Sequence, residues 1–502
     1  MKTTDNRVFL LNTNLPPPAC DGDFERYYLS IGTNNGNAYI AYAVAKLFGL
    51  DFRPGTTLNN IWTDPLRDEQ IERINTEFSH AFVILQDHLR EDFAGLPFAA
   101  IARSIERIRV PLVVWSLGAN SFNGFDMSLV DRLRPDQVRF FKVLAERALS
   151  IGIRGEYTAA VLDRLGIHNH EIVGCPSYFE TGSGRLVTKK DALPQGYRIV
   201  ALGSLANEDA DRLEYVYQSE RFGMKLLHFP DAPLDERDLR ELQAMSPLGR
   251  RSLLKAHRDG RARYFNRVEA WKAFLREPDL LFAMGSRVHG AIAALNVGLP
   301  ALVTSGDARA RETCAYLGIP FEPRYGHPHR AFEADLVSLY DRIDVDAVNR
   351  RYGQVYGTFE AWLRKMGFPH SFDGAEARSD IAGHDLPGAA GRTSPDPRQE
   401  HLERLARSLW ECGEASGSTH HDRPMESRSM LGRFSRGVGD VVSSIRRRLS
   451  RKWRHIRHGG RTEPATSASE GMSVFVLPEP AAHDAGLAGS RADSRPSRRR
   501  AA

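Results

Sequence analysis

The chain has 502 residues, of which 42% are hydrophobic, so it is long enough for two α/β domains and an additional segment. Its four cysteines (Cys20, Cys175, Cys314 and Cys412) are widely spaced and form no Cys-x-x-Cys pair, which argues against a disulfide framework and against a zinc site. The net charge of +5 belongs to residues 430–457, which hold nine arginines or lysines against one aspartate, so the remaining chain is nearly neutral and lacks the basic stripe of a nucleic-acid-binding domain.

Strands and helices are predicted to alternate along the first part of the chain. Apolar runs at Tyr27–Ile31, Ala81–Leu85 and Leu112–Ser116 are typical of buried strands. Helical spacing of apolar residues appears at Tyr39–Phe48, which ends before a glycine, and around Phe98–Ile108. This alternation predicts a doubly wound α/β domain.

The same pattern begins again after a break. Gly182–Gly196 is rich in glycine, lysine and proline and is the best candidate for a linker. New strands are predicted at Tyr197–Leu202, Lys225–Phe229 and Leu280–Met284. We therefore predict two Rossmann-like, doubly wound halves that face a cleft, an arrangement that resembles the GT-B fold of glycosyltransferases.

The most informative segment follows the strand Leu280–Met284. A short helix is predicted at Val288–Val297 and another strand at Ala301–Thr304, so Arg287 and His289 fall at a strand-to-helix turn. Such turns lie at the carboxyl edge of a parallel sheet, where ligands bind and where the helix amino terminus attracts anions. The alternative is that the arginine caps a neighbouring carbonyl and the histidine is an ordinary polar residue of the turn.

Three ordered segments between roughly residues 25 and 325 resemble the polysaccharide pyruvyl transferase family. The first is Ile31-Gly-Thr-Asn-Asn35-Gly36-Asn37-Ala38, with Asn37 where many members carry aspartate; the second is Ile151-Gly-Ile-Arg154-Gly-Glu156; the third is Arg287-Val-His289-Gly290, followed by Ala-x-x-Ala-Leu-x-x-Gly-x-Pro, Asp307-x-Arg309 and Leu317-Gly-Ile-Pro320. Each motif is short, so their common order supports the resemblance.

The resemblance implies a ketal-forming enzyme of exopolysaccharide or capsule biosynthesis. It would move the pyruvyl group of phosphoenolpyruvate onto two hydroxyls of a glycan or a lipid-linked oligosaccharide. Phosphoenolpyruvate would be the donor substrate, no cofactor is expected and no metal-binding residues are assigned, while metal dependence is left open.

Three residues are expected to carry the chemistry. Arg154 and Arg287, one from each half, would close on the two anionic groups of the donor, because a guanidinium pairs bidentately with carboxylate or phosphate. His289 is expected to do general acid–base work, since imidazole exchanges protons near neutral pH. Whether it protonates the methylene carbon or accepts a hydroxyl proton is left open.

Further residues are expected to bind substrate. They are Asn35, Gly36, Asn37, Glu156, Gly290, Asp307 and Arg309. Asn37 cannot act as a base, so Glu156 or Asp87 replaces the aspartate of the family, or no base is needed there. Glu156 is equally explained as an early-turn residue favoured by the helix dipole, and Asp307 with Arg309 as an ion pair at a helix start. His88, Cys175 and Cys314 are expected to be structural.

The carboxyl-terminal segment has a different composition. The predicted division of the chain is an extension at 1–24, an α/β domain at 25–181, a linker at 182–196, an α/β domain at 197–374, a disordered linker at 375–429, a basic amphipathic helix at 430–458 and a disordered tail at 459–502. The helix suits an anionic membrane surface, with a solvated basic helix as the alternative. No apolar run is long enough for a signal peptide or a membrane span, which indicates a cytoplasmic protein, peripheral on the inner membrane face if the helix docks.

Two other functions fit part of this pattern. A GT-B glycosyltransferase would share the cleft and the anion site but would use a nucleotide sugar. A non-catalytic subunit could recruit polysaccharide-assembly proteins through the basic tail. The intact Arg154, Arg287 and His289 argue against the second alternative, and Asn37 argues mildly for it.

Overall fold

The computed structural model describes residues 7–15, 23–49, 57–58, 60–63, 65–91, 95–121, 124–203, 205, 210–229, 232–304, 307–322 and 335–367. Within these ranges the chain forms two α/β halves, each around its own parallel sheet. The predicted linker at 375–429, the predicted helix at 430–458 and the predicted tail at 459–502 lie outside the described residues.

The first half is built on a six-stranded sheet. Its elements in chain order are β1 (Val8–Leu11), α1 (Phe24–Ser30), α2 (Asn35–Phe48), β2 (Thr57–Leu58), α3 (Asp68–Glu77), β3 (His80–Ile84), α4 (Phe98–Glu106), β4 (Leu112–Leu117), α5 (Leu129–Arg132), α6 (Pro135–Arg147), β5 (Ala148–Ile153), α7 (Glu156–Arg164) and β6 (His170–Ile172). The strand order is β2-β1-β3-β4-β5-β6, and every pair is parallel. The chain direction across the sheet reverses between β1 and β3, which makes their carboxyl ends a topological switch point.

The second half is built on a five-stranded sheet. It comprises a 3₁₀ turn (Pro176–Phe179), β7 (Arg198–Leu202), a 3₁₀ turn (Ala210–Arg212), β8 (Leu213–Tyr217), α8 (Arg221–His228), α9 (Glu236–Gln243), α10 (Pro247–Arg258), β9 (Ala262–Tyr264), α11 (Val268–Leu275), β10 (Leu280–Gly285), α12 (Val288–Asn296), β11 (Ala301–Val303), α13 (Ala308–Leu317), α14 (Leu336–Arg342) and α15 (Val345–Lys365). The order β11-β10-β7-β8-β9 is the Rossmann order, with its switch point between β7 and β10.

Both faces of the sheets are covered, as doubly wound folds require. In β3, Phe82 and Ile84 belong to one apolar core, whereas Ala81 and Val83 belong to another. A parallel strand buried on both faces is a continuous apolar run, and this is why the sequence identified β3, β4 and β10. The predicted fold class of two doubly wound α/β halves is confirmed.

The predicted first strand at Tyr27–Ile31 is wrong, because Phe24–Ser30 forms α1. Asp23 caps this helix by accepting a hydrogen bond of 3.0 Å from the Arg26 N–H. The three aromatic side chains of α1 are all buried, at the spacing of one helical face. The aromatic and β-branched residues of this segment favoured a strand. The buried aromatic residues lie three and four positions apart, however, and this spacing is typical of a helix. The first strand is β1, inside the segment predicted as an extension.

The predicted strand at Lys225–Phe229 is also wrong, because it begins inside α8. Short apolar runs do not distinguish a strand from a helix by periodicity alone. Arg221 and Lys225 lie one turn apart on α8 and both pair with the buried Asp238, at 3.2 and 2.5 Å. The second strand of this sheet is β8.

The last described helix, α15, returns to the first half. The ring of Trp362 lies 5.3 Å from the ring of Trp115 in β4, and its Nε1–H donates to Ser150 Oγ in β5 at 3.1 Å. Residues 182–196, predicted as the linker, contain neither helix nor strand. The chain therefore connects the two halves twice.

Candidate active site

The turn after β10 lies at the carboxyl edge of the second sheet, as predicted, and the strand order places it at the switch point of that sheet. Arg287 immediately precedes α12, and His289 lies in its first turn. Gly290 packs so closely that a Cβ atom there would lie 2.6 Å from both Leu202 Cδ2 and Gln218 Nε2. The glycine lets α12 approach the second sheet closely, so the structure gives Gly290 a packing contact.

His289 lies between the two halves and is only 8% exposed. Its Nε2 is 3.7 Å from Cys175 Sγ, and a Cβ atom at Gly36 of α2 would lie 2.6 Å from its Nδ1. Burial lowers the pKa of His289 well below its usual range, and the positive charges of Arg154 and Arg309 lower it further. The imidazole is therefore neutral in the ligand-free protein.

Arg154 follows β5 and is 3% exposed. Its Nε and Nη2 donate to Ser116 Oγ at 3.3 and 3.2 Å. Ser116 has a left-handed φ of 69°, a strained conformation for a residue with a side chain. Among the described residues, no carboxylate lies within ion-pair distance of the Arg154 guanidinium. Burial lowers the pKa of Arg154, and the structure thus holds a buried cation beside a neutral hydroxyl.

Arg309 joins the two halves through an ion pair. Its Nη1 donates to Asp87 Oδ2 at 3.2 Å, and Arg90 Nη1 donates to the same oxygen at 3.0 Å. Burial raises the pKa of Asp87, but Arg309 and Arg90 outweigh it and hold that pKa well below its usual range. Asp307 accepts from the Ala310 N–H at 2.8 Å and lies 3.7 Å from Arg309 Nε, which matches the alternative of an ion pair at a helix start.

Arg287 has a carboxylate partner inside the protein. Its Nε donates to Glu220 Oε1 at 2.9 Å. Glu220 is 1% exposed and also accepts from the backbone N–H groups of Gln218 and Ser219, at 2.9 and 3.1 Å. Burial raises the pKa of Glu220, but Arg287 keeps it below its ordinary value. Arg287 and Arg154 therefore bind different groups in this structure.

A family model described as polysaccharide pyruvyl transferase matches residues 34–307, more than half of the chain. The chain belongs to the polysaccharide pyruvyl transferase family. The matched range includes Arg154, Arg287 and His289 and ends at Asp307. No curated protein matches the chain significantly.

Two solved structures are similar to this transferase at low identity. The UDP-GlcNAc 2-epimerase of Methanocaldococcus jannaschii, in complex with UDP-GlcNAc and UDP, shares 10% identity at a TM-score of 0.29, over 65% of this chain and 87% of that chain. UGT73P12 of Glycyrrhiza uralensis, complexed with glycyrrhetinic acid 3-O-monoglucuronide, shares 10% identity at a TM-score of 0.29, over 89% of this chain and 98% of that chain. Because both TM-scores are low, the fold assignment rests on the strand orders of the two sheets and not on these similarities.

The asparagine-rich loop of the transferase docks the first half onto the second. Asn34 caps α2 by accepting from the Gly36 N–H at 2.9 Å. The backbone N–H of Asn35 donates to Gln218 O at 3.0 Å, and its Nδ2 donates to Phe265 O at 2.7 Å. Asn35 thus holds the two halves together, and its Oδ1 is buried without a hydrogen-bond partner among the described residues.

Asn37 makes a contact within its own loop. Its Nδ2 donates to Gly32 O at 3.1 Å, and Gly32 has a left-handed φ of 58°. An amide in this position stabilises the turn but cannot accept a proton as a carboxylate would.

The buried carboxyl group at the start of α7 is Glu312, from α13. Its oxygens accept from the Thr158 N–H at 2.9 Å and from Thr158 Oγ1 at 2.6 Å. Burial raises the pKa of Glu312 to about 7. Glu156, predicted at this helix start, is exposed in the first turn, as the helix-dipole alternative predicts. Glu312 thus connects the second half to the helix that follows Arg154.

Sequence reasoning missed several groups beside the predicted residues. They are Ser116, Glu220 and Glu312. The rule that ligands bind at the carboxyl ends of parallel strands points to Ser116, near the end of β4, and to Glu220, just after β8. Nothing local in the sequence marks Glu312, because its partner in α7 becomes its neighbour only on folding.

The residues expected to be structural divide into two groups. His88 stacks on Trp62 with ring centroids 4.5 Å apart, and burial lowers its pKa to about 4. Cys314 is a buried free thiol whose pKa is raised by burial. Cys175, in contrast, contacts His289. Within the described ranges, no His, Cys, Asp and Glu side chains cluster so as to hold a metal ion, and no helix is long and apolar enough to cross a membrane.

Proposed function

We propose that this chain transfers a pyruvyl group from phosphoenolpyruvate to two hydroxyls of a glycan, as a ketal, during exopolysaccharide or capsule biosynthesis. The observation that carries the proposal is Arg154, a buried guanidinium whose hydrogen bonds go to a neutral hydroxyl. A buried cation without an anionic partner is unfavourable, and binding an anionic substrate would relieve this cost. Phosphoenolpyruvate offers two such groups, a carboxylate and a phosphate.

Arg154 and Arg309 are the cations that we assign to the donor. A Cβ atom at Gly118 would lie 3.1 Å from Arg154 Cδ and 3.5 Å from Arg309 Cγ, so the two side chains flank the same point. Both also lower the pKa of His289, which places their charges near the imidazole. Arg287 would join them by exchanging its contact with a protein carboxylate for one with the donor.

The proposed reaction moves two protons. The methylene carbon of phosphoenolpyruvate gains one proton, which makes the neighbouring carbon electrophilic, and the first hydroxyl oxygen attacks that carbon. The bond from this carbon to the phosphate oxygen then breaks, with its electron pair on phosphate, and the second hydroxyl attacks. The protein group that protonated the methylene carbon regains a proton from one of the two hydroxyls. The proton of the other hydroxyl leaves with inorganic phosphate.

His289 is suited to the hydroxyl side of this reaction. Because its imidazole is buried and neutral, it can accept a proton from an attacking hydroxyl before it can donate one. We therefore assign His289 the role of general base for a hydroxyl in the proposed reaction.

The test is product analysis with purified protein. Phosphoenolpyruvate is offered with a panel of oligosaccharides and lipid-linked glycans, and inorganic phosphate is measured. We expect phosphate release only with a suitable glycan, and a ketal-linked pyruvate in the product by mass spectrometry and NMR. Turnover of a UDP- or GDP-sugar without phosphoenolpyruvate would contradict the proposal and favour a glycosyltransferase.

The role of His289 has its own test. His289→Ala should lower kcat by about 100-fold or more, since general acid–base catalysis contributes at least that much. The affinity for phosphoenolpyruvate, measured by calorimetry, should change little. His88→Ala is the matched control, because it removes a buried histidine that stacks on Trp62. Equal kinetics of His289→Ala and the wild type would place the base elsewhere.

A further inference from the structure

Cys175 is a buried thiol that the function proposed above leaves without a role. It is 1% exposed and lies shortly after β6. Its Sγ is 3.1 Å from Ser177 Oγ, 3.5 Å from Ser116 Oγ and 3.7 Å from His289 Nε2. The thiol therefore contacts the general base directly.

The same sulfur is close to the buried cation. Ser116 Oγ, which contacts Cys175, also accepts both hydrogen bonds from Arg154. Burial lowers the pKa of Arg154. The sulfur is thus positioned between an imidazole and a guanidinium that is 3% exposed and has no carboxylate partner among the described residues. An anion bound to that guanidinium would lie next to the thiol.

The proposed reaction needs a proton donor that His289 does not supply. A neutral imidazole accepts the hydroxyl proton, so the proton for the methylene carbon must come from another group. Asp87 is held as a carboxylate by Arg309 and Arg90, and both oxygens of the buried Glu312 already accept hydrogen bonds from Thr158. The thiol of Cys175 lies 3.7 Å from the imidazole and, through Ser116, beside the buried guanidinium of Arg154.

We propose that Cys175 is a catalytic residue that protonates the methylene carbon of phosphoenolpyruvate. The inference rests on the proposed function, since it assigns a step in that reaction. The bond between Sγ and its proton breaks, a carbon–hydrogen bond forms at the methylene carbon, and a thiolate remains.

The geometry of His289 allows the thiol to be restored. Its Nε2 faces Cys175, whereas its Nδ1 faces Gly36, which contributes no side chain. Because Nδ1 packs so closely against Gly36 that a Cβ atom there would lie 2.6 Å away, the attacking hydroxyl gives its proton to Nε2, and Nε2 then passes that proton to the thiolate. No external acid, oxidant or reductant is needed, because one hydroxyl proton ends in the methyl group of the product.

The first test compares the two buried cysteines. Cys175→Ala should lower kcat by about 100-fold or more, while the dissociation constant for phosphoenolpyruvate changes by less than about threefold. Cys314→Ala is the matched control, because that thiol is also free and buried but lies in α13 without a contact to His289. It should leave kcat within about threefold of the wild type. Equal losses in the two variants would reduce Cys175 to a packing residue.

The second test uses the unaltered protein and needs no acceptor. Bromopyruvate is a carboxylate that alkylates thiols, and the guanidinium of Arg154 should direct it to Cys175. Peptide mapping should find Cys175 labelled faster than Cys314, and saturating phosphoenolpyruvate should slow the labelling by about tenfold or more. Labelling of Cys175 that phosphoenolpyruvate does not slow would overturn the assignment, as would labelling that favours Cys314.

The two proposals fail in different ways. If the wild-type protein releases no phosphate from phosphoenolpyruvate with any glycan and the donor does not protect Cys175, the proposed function fails. If the wild-type protein makes the ketal and Cys175→Ala is equally active, the function stands and another group donates the proton.

Discussion

Arg154 and Arg287, one from each half, are alike in the sequence and unlike in the structure. Arg154 is 3% exposed and donates to the hydroxyl of Ser116, with no carboxylate within ion-pair distance among the described residues. Arg287 is held by the buried carboxylate of Glu220. Among the described residues, Arg154 lacks an anionic partner, whereas Arg287 already has one. The ligand-free protein is thus prepared for an anion at Arg154 and must exchange a partner at Arg287.

This difference shows that a sequence motif can locate an arginine but cannot show whether that arginine is available to bind an anionic substrate. The cost of burying a charge depends on its partners, and those come from distant parts of the chain. A buried arginine beside a neutral group is therefore the stronger indication of an anion site.

The largest expected effect comes from removing Arg154, the cation for which the described part of the chain supplies no carboxylate. Arg154→Ala should weaken phosphoenolpyruvate binding by about 100-fold or more, because a charge-assisted hydrogen bond in a buried site is lost. Arg287→Lys should weaken phosphoenolpyruvate binding by about tenfold. Lysine keeps the positive charge and can still pair with Glu220, but it loses the bidentate hydrogen bonding of the guanidinium. Calorimetric titration measures both. A larger effect at Arg287 than at Arg154 would reverse the comparison.

The second prediction makes Arg287 resemble Arg154. Glu220→Gln removes the carboxylate and leaves Arg287 without an anion, so the free energy of unfolding should fall by about 3 kcal/mol. Phosphoenolpyruvate should bind about tenfold more tightly, because the donor no longer competes with a protein carboxylate. Urea unfolding with and without the donor measures both quantities. Unchanged stability and unchanged affinity would show that the pair is not an obstacle to donor binding.

The third prediction concerns the contact of Glu312 with α7, the helix that follows Arg154. In the folded protein burial raises the pKa of Glu312 to about 7, above its ordinary 4.5. The stability that this group contributes is therefore complete below about pH 4.5 and is lost as the pH rises through about 7. Glu312→Gln stays neutral, so its Tm should rise relative to the wild type between about pH 5 and pH 8.

The matched control for this prediction is Glu156→Gln, which removes an exposed carboxylate from the same helix. Its difference in Tm from the wild type should not change across that range. If Glu312→Gln and Glu156→Gln show the same pH profile, the buried carboxyl group does not titrate near neutral pH.

The smallest expected effect on turnover comes from the basic tail, whose residues lie outside the described ranges. Deleting residues 430–502 should leave kcat on soluble glycans unchanged, because the compared arginines belong to the two halves. We propose that the segment docks on anionic membranes, so the full chain should sediment with anionic vesicles at low salt. Replacing Phe434, Ile445 and Trp453 by serine should abolish this with every charge intact. Loss of activity on deletion, or no binding to vesicles, would contradict the membrane proposal.

The sequence predicted the elements around His289 because their signals are local. β10, α12 and β11 follow from an apolar run, helical spacing and a Gly-x-Pro stop within residues 280–303. The same rules failed at α1 and α8, where short apolar runs fit both periodicities and the tertiary contacts decide. The short strand β1 was missed although the even shorter β11 was predicted, because a helix and a Gly-x-Pro stop precede β11 and no such signal precedes β1.

The side-chain pairs inside the site could not be predicted from the sequence, and the reason is physical. Glu220 and Arg287 are 67 positions apart, Asp87 and Arg309 are 222 apart, and Thr158 and Glu312 are 154 apart. Which charges meet depends on how two sheets face each other, and no local pattern encodes that. Of the predicted site residues, His289, Arg154 and Arg309 come together, whereas Glu156 stays at the surface.

The most direct test of the central claim is a crystal structure of the complex with phosphoenolpyruvate. The account predicts a carboxylate or phosphate oxygen within about 3 Å of the Arg154 guanidinium, which is the distance of a charge-assisted hydrogen bond. The methylene carbon should lie on the side of Cys175 and His289. A donor bound elsewhere, with Arg154 still donating only to Ser116, would contradict the claim that this buried cation is the donor site.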